Sequence, residues 1–229
     1  DLARTYHHEN DLDQLGKVTR RMKEDDVGEQ TSMAEVHQSI ADARLRARFL
    51  RAGALLEEAK DSDDASRARE LYSAAALELE TIADENPQFD KADLCLLEAG
   101  RSFEQANLNA RAARLYQRVV EEKRFSESAY REAALSSLAD SYESSFAFGK
   151  ATETYLRFAR EYPKSDELKS VLLKAAHLFE MDQDYLKAAE LLVLLIKSFP
   201  DWDSTPKLVY LLVDLYQKGG DKAAARRAA

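Results

Sequence analysis

Few residues of this chain have the types and spacing that metal or nucleophilic chemistry requires. The four histidines are His7, His8, His37 and His177, and the sequence has neither an HExxH motif nor a histidine pair at i, i+4 beside a carboxylate. Because a zinc site on a helix needs ligands on one face, the histidines predict no metal site. His177 precedes Glu180 by one turn, a pair more typical of a surface or groove contact than of catalysis.

An acidic cluster, Asp61-Ser62-Asp63-Asp64, has the composition of a calcium loop but not its pattern. An EF-hand loop that began at Asp61 would need glycine and glutamate where this chain has Ser66 and Tyr72. The cluster therefore predicts a solvent-exposed turn.

The single cysteine, Cys95, lies in an apolar run from Leu94 to Leu97, which favours a buried thiol over a reactive one. One cysteine excludes an intrachain disulfide. No GxSxG motif occurs, and the only double glycine, Gly219-Gly220, is predicted to end a helix rather than to bind phosphate. We therefore predict that the chain is not an enzyme and that it binds no cofactor or small-molecule substrate.

Composition favours an all-helical protein. The 229 residues include only 7 glycines and 4 prolines, while 45% are hydrophobic and 33% are charged. The formal net charge of −9 argues against a general nucleic-acid binder, which needs basic surface to displace counterions. The sequence contains no run of about 18 apolar residues, so we predict no direct membrane span.

A repeat of 37 to 39 residues organises the predicted helices. An alanine recurs near the start of each second helix, at Ala75, Ala112, Ala151, Ala188 and Ala225, with spacings of 37, 39, 37 and 37. Before the last four alanines stand a large residue, two medium or small residues and an aromatic, at offsets −16, −13, −12 and −9. An isolated helix pair cannot bury two apolar stripes, so this self-similarity predicts stacked pairs in a helical solenoid.

The first and third repeats depart from the pattern. Phe49 lies 26 residues before Ala75, against 16 elsewhere, which predicts longer helices around the acidic turn. A proline ends the second helix at Pro87, Pro163 and Pro200, but Arg124 takes its place in one junction. There Phe125 to Ser128 is predicted to form the turn.

These spacings predict the domain organisation. Residues 34–229 form the solenoid, with repeats at about 34–89, 90–126, 127–164, 165–202 and a partial repeat at 203–229. Residues 1–33 form either a partial N-terminal repeat or an unrelated helix, followed by a linker. The first interpretation rests on Tyr6 to Leu15, which align with Phe179 to Ala188. The short last repeat indicates that the chain is cut from a longer protein at one or both ends.

The repeated pattern resembles the tetratricopeptide repeat (TPR), although that family's usual period is shorter. The resemblance implies a right-handed superhelical α-solenoid that acts as a scaffold or adaptor for a protein partner. The junctions Tyr162-Pro163-Lys164-Ser165 and Phe199-Pro200-Asp201 are similar to those of bacterial envelope members. These include outer-membrane-assembly lipoproteins and periplasmic coordinators of division systems. This subtype implies a subunit of a cell-envelope assembly, in the periplasm rather than the cytoplasm.

The resemblance also implies a concave partner-binding groove lined by first helices. Two positions on each first helix are expected to face inward: Leu50 and Ala54, Leu97 and Arg101, Ser136 and Asp140, Leu173 and His177, Tyr210 and Asp214. The set has no basic row, so we predict against capture of a terminal carboxylate. It favours an extended or helical protein segment held by Leu97, Leu173 and Tyr210. The alternative is that these residues face water and the partner uses the convex face or an end.

Two other functions stay open at this point. One alternative to the scaffold is a regulatory or targeting module of a larger enzyme. The other is a structural solenoid that self-associates end to end. Trp202, in the turn beside Pro200, is expected to pack between adjacent repeats, with a partner anchor as the alternative.

Overall fold

The computed structural model describes residues 29–229, with side chains from residue 35 onward. This range contains helices and turns and no strand, which confirms the all-α prediction. Ten α-helices follow one another in five pairs: α1 Glu29–Lys60, α2 Ala65–Glu85, α3 Ala92–Gln105, α4 Asn109–Glu121, α5 Arg131–Ser144, α6 Phe148–Glu161, α7 Leu168–Met181, α8 Tyr185–Ser198, α9 Thr205–Lys218 and α10 Lys222–Ala228. The predicted tail of a preceding repeat, with His7 and His8, lies outside the described residues.

The described residues divide into two compact units, the first ending at Leu115 and the second beginning at Tyr116, with the boundary inside α4. In the first unit, α1 packs on α2, and α2 packs on α3. In the second unit, each of the helices α5 to α9 packs on the next one along the chain. Within each unit, contact between sequence neighbours is the arrangement expected of stacked helix pairs.

The recurring alanines lie in the core. Ala75, Ala112, Ala151 and Ala188 are fully buried, and Ala225 is 5% exposed. A small side chain at this point lets two helices approach closely, and larger apolar residues fill the space around it. Between α7 and α9 these include Leu172, Leu192, Leu195 and Leu212.

The first helices from α3 onward all end in the same turn. The second of three connecting residues has a left-handed backbone in each case: Asn107 (φ 60°), Phe146 (φ 59°), Gln183 (φ 64°) and Gly220 (φ 82°). The next N–H donates to the carbonyl five residues back, at 2.7–2.9 Å, and the acceptors are Phe103, Tyr142, Phe179 and Tyr216. This is the Schellman motif, and the recurring aromatic at offset −9 is the residue whose carbonyl closes it.

The first helix pair differs, as its spacing predicts. α1 has 32 residues and α2 has 21, whereas α3 and α5 to α9 each have 14. The acidic turn between them is mostly exposed. Asp64 caps α2, since its Oδ1 accepts hydrogen bonds from the backbone N–H groups of Ser66 (2.8 Å) and Arg67 (3.3 Å).

The junction that lacks proline is held by an arginine. A 3₁₀ turn at Lys123–Phe125 buries the Phe125 ring. Arg131, the first residue of α5, donates to the Val120 carbonyl at 2.7 Å, and its Nη2 lies 3.2 Å from Glu161 Oε2. The guanidinium thereby links the end of α4 to the end of α6.

None of the helices from Glu29 onward combines the length and hydropathy that a membrane crossing needs. The same part of the chain contains no group of three or more histidine, cysteine, aspartate or glutamate side chains arranged to hold a metal ion.

Candidate protein-binding surface

All ten residues predicted to line the groove lie on first helices, but they differ in accessibility. Ala54, Arg101, His177 and Tyr210 are exposed, Leu50, Asp140, Leu173 and Asp214 are half-buried, and Leu97 and Ser136 are buried. Eight of the ten therefore reach solvent to some extent, and two belong to the interior.

Leu97 and Ser136 are 1% and 8% exposed, so neither is available to a partner. Leu96, the residue before Leu97, is also fully buried. Consecutive helical residues point about 100° apart, so α3 buries a wider arc than a simple amphipathic stripe. The same holds for α5, where Leu135 and Ser136 are both buried. A fixed offset from the large residue cannot anticipate this width, because the width depends on the neighbouring helices.

Arg101 lines a cavity of about 360 Å³ in the first unit, together with Glu57, Lys60, Tyr72 and Glu98. Each cation already has an acidic partner on its own helix: Arg101 Nη1 is 2.7 Å from Glu98 Oε1, and Lys60 Nζ is 2.8 Å from Glu57 Oε1. The hydrogen bond from Lys60 lowers the pKa of Glu57. The cavity therefore presents paired charges rather than a site for one ion.

Asp140 belongs to a polar cluster that joins α5, α6 and α7. The buried Tyr155 hydroxyl lies 2.5 Å from Asp140 Oδ1 and 2.6 Å from Glu143 Oε2. Lys174 Nζ donates to Asp140 Oδ1 at 2.6 Å. Burial raises the pKa of Tyr155, and the two carboxylates raise it further, so the tyrosine stays neutral. With two carboxylates and one ammonium, the cluster carries one net negative charge.

Tyr210 is the one large hydrophobic side chain among the predicted groove residues that is mostly exposed, and its exposed fraction is 80%. It lies on α9 one turn before Asp214, whose Oδ2 is 2.7 Å from Lys218 Nζ. Lys218 also donates to Glu180 of α7 at 3.0 Å, and its pKa is raised by Asp214 and Glu180. Lys218 thus links α7 and α9, and His177 lies one turn before Glu180 on α7.

Sequence reasoning did not single out Lys174 and Lys218, although a signal was present. Lys174 follows Asp140 by 34 residues, and Lys218 follows Glu180 by 38, so each pair is separated by about one repeat. Opposite charges at the repeat spacing indicate contacts between equivalent helices of adjacent pairs.

Trp202 packs against the core of the second unit. Its half-buried ring lies against the core formed by α7, α8 and α9. Lys169 Nζ is 5.7 Å from its ring centroid and 4.8 Å from that of Phe199. The expected packing role is confirmed. Cys95 is also fully buried, and burial raises the pKa of its thiol to about 12.

No protein-family model and no curated protein matches the chain. Several solved structures do. One is a Podosopora anserina kinesin light chain protein described as having nearly identical TPR-like repeats. It matches with a TM-score of 0.54 at 17% identity, over 81% of this chain and 91% of that one. BtubC (BKLC) from P. vanneervenii matches with a TM-score of 0.53 at 16% identity, over 89% of each chain. MamA AMB-1 matches with a TM-score of 0.52 at 16% identity, over 78% of this chain and 88% of that one.

The fold is that of TPR-like repeats. The resemblance drawn from the recurring alanines and aromatics is therefore confirmed at the level of fold. At identities this low the likeness carries no information about partners or compartment.

Proposed function

We propose that the protein is a scaffold that binds a segment of a partner protein on the first helices of its second unit. The observation that carries the proposal is the 80% exposure of Tyr210. A ring of this size gains free energy when a partner buries it, and tyrosine is among the residues that most often anchor an interface. Tyr210 lies on α9 one turn before Asp214, which an ion pair with Lys218 holds in place, so part of this surface is pre-organised for a contact.

The surface favours a segment that offers an apolar side chain to Tyr210 and Leu173. Leu173 is half-buried and packs against the α7–α9 core, so its outer face is held in one place. Asp140 and Asp214 flank these two residues along the series of first helices. The proposal is confined to α5, α7 and α9, because Arg101 belongs to the other unit.

The proposal extends to a role as a subunit of a bacterial cell-envelope assembly. Its support is the pair of proline junctions, Tyr162 to Ser165 and Phe199 to Asp201, and their similarity to envelope members of the TPR family. Fractionation of the source organism, followed by immunoblotting, tests this part. Recovery with periplasmic or membrane fractions is expected, and recovery with the cytoplasm alone would remove it.

The binding surface is tested by photo-crosslinking. A benzophenone amino acid at position 210 is expected to capture a partner from the native lysate, whereas the same probe at Tyr130 is not. Tyr130 is a matched control because it is an exposed tyrosine in the loop before α5. Tyr210→Ala should remove that partner from a pull-down analysed by mass spectrometry. If Tyr210→Ala still captures that partner unchanged, the proposed surface is wrong. If the probe captures only further copies of this chain, the surface serves self-association instead.

A further inference from the structure

The turn between α5 and α6 holds an aromatic residue in a position that disfavours one. The equivalent left-handed residues of the other turns are Asn107, Gln183 and Gly220, whereas this turn has Phe146 with φ 59°. Bulky side chains rarely adopt this backbone conformation. The Phe146 ring is also 81% exposed, so core packing does not account for it. A strained residue whose side chain lies outside the core points to a role outside the fold.

Phe146 contacts a residue that lines an apolar cavity. Its ring contacts that of Phe148 edge to face, with centroids 6.0 Å apart. Phe148 is 37% exposed and lines a cavity of about 570 Å³ between α6 and α7. The apolar lining comprises Phe148, Leu156, Leu178, Phe179 and Met181. These five residues together with Phe146 are called the Phe146 patch, and Met181 within it is 53% exposed.

The charge around the cavity is negative. Among the described residues that line it, the charged ones are Glu153 and Asp182, and both are exposed. Lys187 lies near the Phe179 ring, 5.3 Å from its centroid, but its Nζ is 2.6 Å from Asp184 Oδ2. An apolar cavity with an acidic rim favours a ligand that combines an apolar group with a cation.

We propose that the Phe146 patch is a second docking site, which takes a protein segment with an apolar side chain next to lysine or arginine. The apolar side chain enters the cavity against Phe148 and Met181, and Phe146 covers it from the turn. The cation meets Glu153 and Asp182. The same acidic rim disfavours an anionic membrane surface, which an exposed aromatic pair could otherwise enter. The site shares no residue with the Tyr210 surface and does not depend on it.

The test uses fluorescence polarisation with a panel of labelled 12-residue peptides. Each peptide has one leucine, isoleucine, phenylalanine or tryptophan between two lysines, and the controls replace either the apolar residue by serine or the lysines by glutamate. At least one apolar-basic peptide is expected to bind, and both types of control should bind at least about tenfold more weakly. Absence of binding by every peptide, or equal binding of the glutamate controls, would overturn the proposal.

Phe146→Asn separates a binding role from a structural one. Asparagine suits a left-handed residue better than phenylalanine does, so this variant should unfold at the same temperature as the wild type or higher. Its peptide affinity should fall about tenfold or more. Leu194→Asn, at a 47% exposed leucine on α8, is the matched control and should bind normally. A lower unfolding temperature with unchanged affinity would show that Phe146 is structural.

Glu153→Lys tests the acidic rim. This variant should weaken the apolar-basic peptides and strengthen the glutamate controls, because one of the two rim carboxylates becomes a cation. Unchanged affinity for both would remove the electrostatic half of the proposal. Vesicles of phosphatidylglycerol and phosphatidylcholine test the membrane alternative, and tight binding of the wild type that Phe146→Asn abolishes would replace a protein ligand with a lipid surface.

Discussion

The turn of the first helix pair lacks the left-handed residue that closes the turns of the later pairs. Between α1 and α2, side-chain oxygens make hydrogen bonds to the backbone of the turn. Asp64 accepts two backbone hydrogen bonds, and Ser62 Oγ donates to the Asp64 carbonyl at 3.2 Å. In the later pairs a left-handed residue and a backbone hydrogen bond to an aromatic residue close the turn. Asp184 and Asp221 also cap the helices that follow two of these turns.

The difference shows what sets helix length in this chain. The left-handed turn comes at a fixed distance after an aromatic residue, and the helices beside it have 13 or 14 residues, except for the short terminal α10. The acidic turn needs no such partner, and there the helices extend to 32 and 21 residues. The left-handed turn thus sets a regular repeat, and the acidic turn, which lacks it, permits an irregular one.

The largest expected effect comes from the aromatic residue of a left-handed turn. Phe103 is fully buried, and the Arg111 guanidinium lies 4.3 Å from its ring centroid. Phe103→Ala should lower the free energy of unfolding by about 3–5 kcal/mol, because it leaves a cavity beside the turn. Urea denaturation measures this change. Tyr142 is the half-buried equivalent in α5, and an equal loss for Tyr142→Ala would contradict the dependence on burial.

Removal of the Asp64 cap should have a smaller effect, confined to the first pair. Asp64→Ala leaves the N–H groups of Ser66 and Arg67 without their carboxylate acceptor and should cost about 1 kcal/mol. Asp63→Ala in the same exposed turn is the control, and it should change the free energy of unfolding very little. If both variants behave alike in urea denaturation, the side-chain account of this turn is wrong.

Relief of the left-handed backbone should stabilise a later turn slightly. Gln183 has φ 64°, a conformation that glycine adopts without the side-chain clash. Gln183→Gly should raise the free energy of unfolding by about 1 kcal/mol or less, since the added flexibility of the unfolded chain offsets part of the gain. The thermal unfolding midpoint measures the sign. A loss of stability would show that the Gln183 side chain makes a contact that outweighs the strain.

The smallest expected effect concerns the connections between pairs and depends on pH. Burial alone would raise the pKa of Glu161, but hydrogen bonds from Arg157 and Arg131 outweigh it and lower the pKa. The stabilisation is therefore present above the unfolded value of about 4.3 and is lost as pH falls through the folded value. Glu161→Gln should be less stable than the wild type at neutral pH, and the difference should shrink below about pH 4. A constant difference across this range would exclude the charge as its source.

Sequence reasoning reached the fold because the packing rules of this chain are local. The alanine spacing, the aromatic at offset −9 and the extra residues before Ala75 each correspond to an observed feature. The surface was harder to predict. Leu97 satisfies the offset rule yet is buried, because the arc that a helix buries depends on how the neighbouring helices pack against it. Phe146 escaped notice because its left-handed backbone and its exposure are visible only in three dimensions.

The turn that closes on an aromatic carbonyl has a consequence for how the chain folds. Each such hydrogen bond spans only five residues, and within each unit the helices that pack together are neighbours in sequence. The native contacts are therefore mostly short-range, and chains with low contact order fold in microseconds to milliseconds. Folding can nucleate in any helix pair and spread to its neighbours.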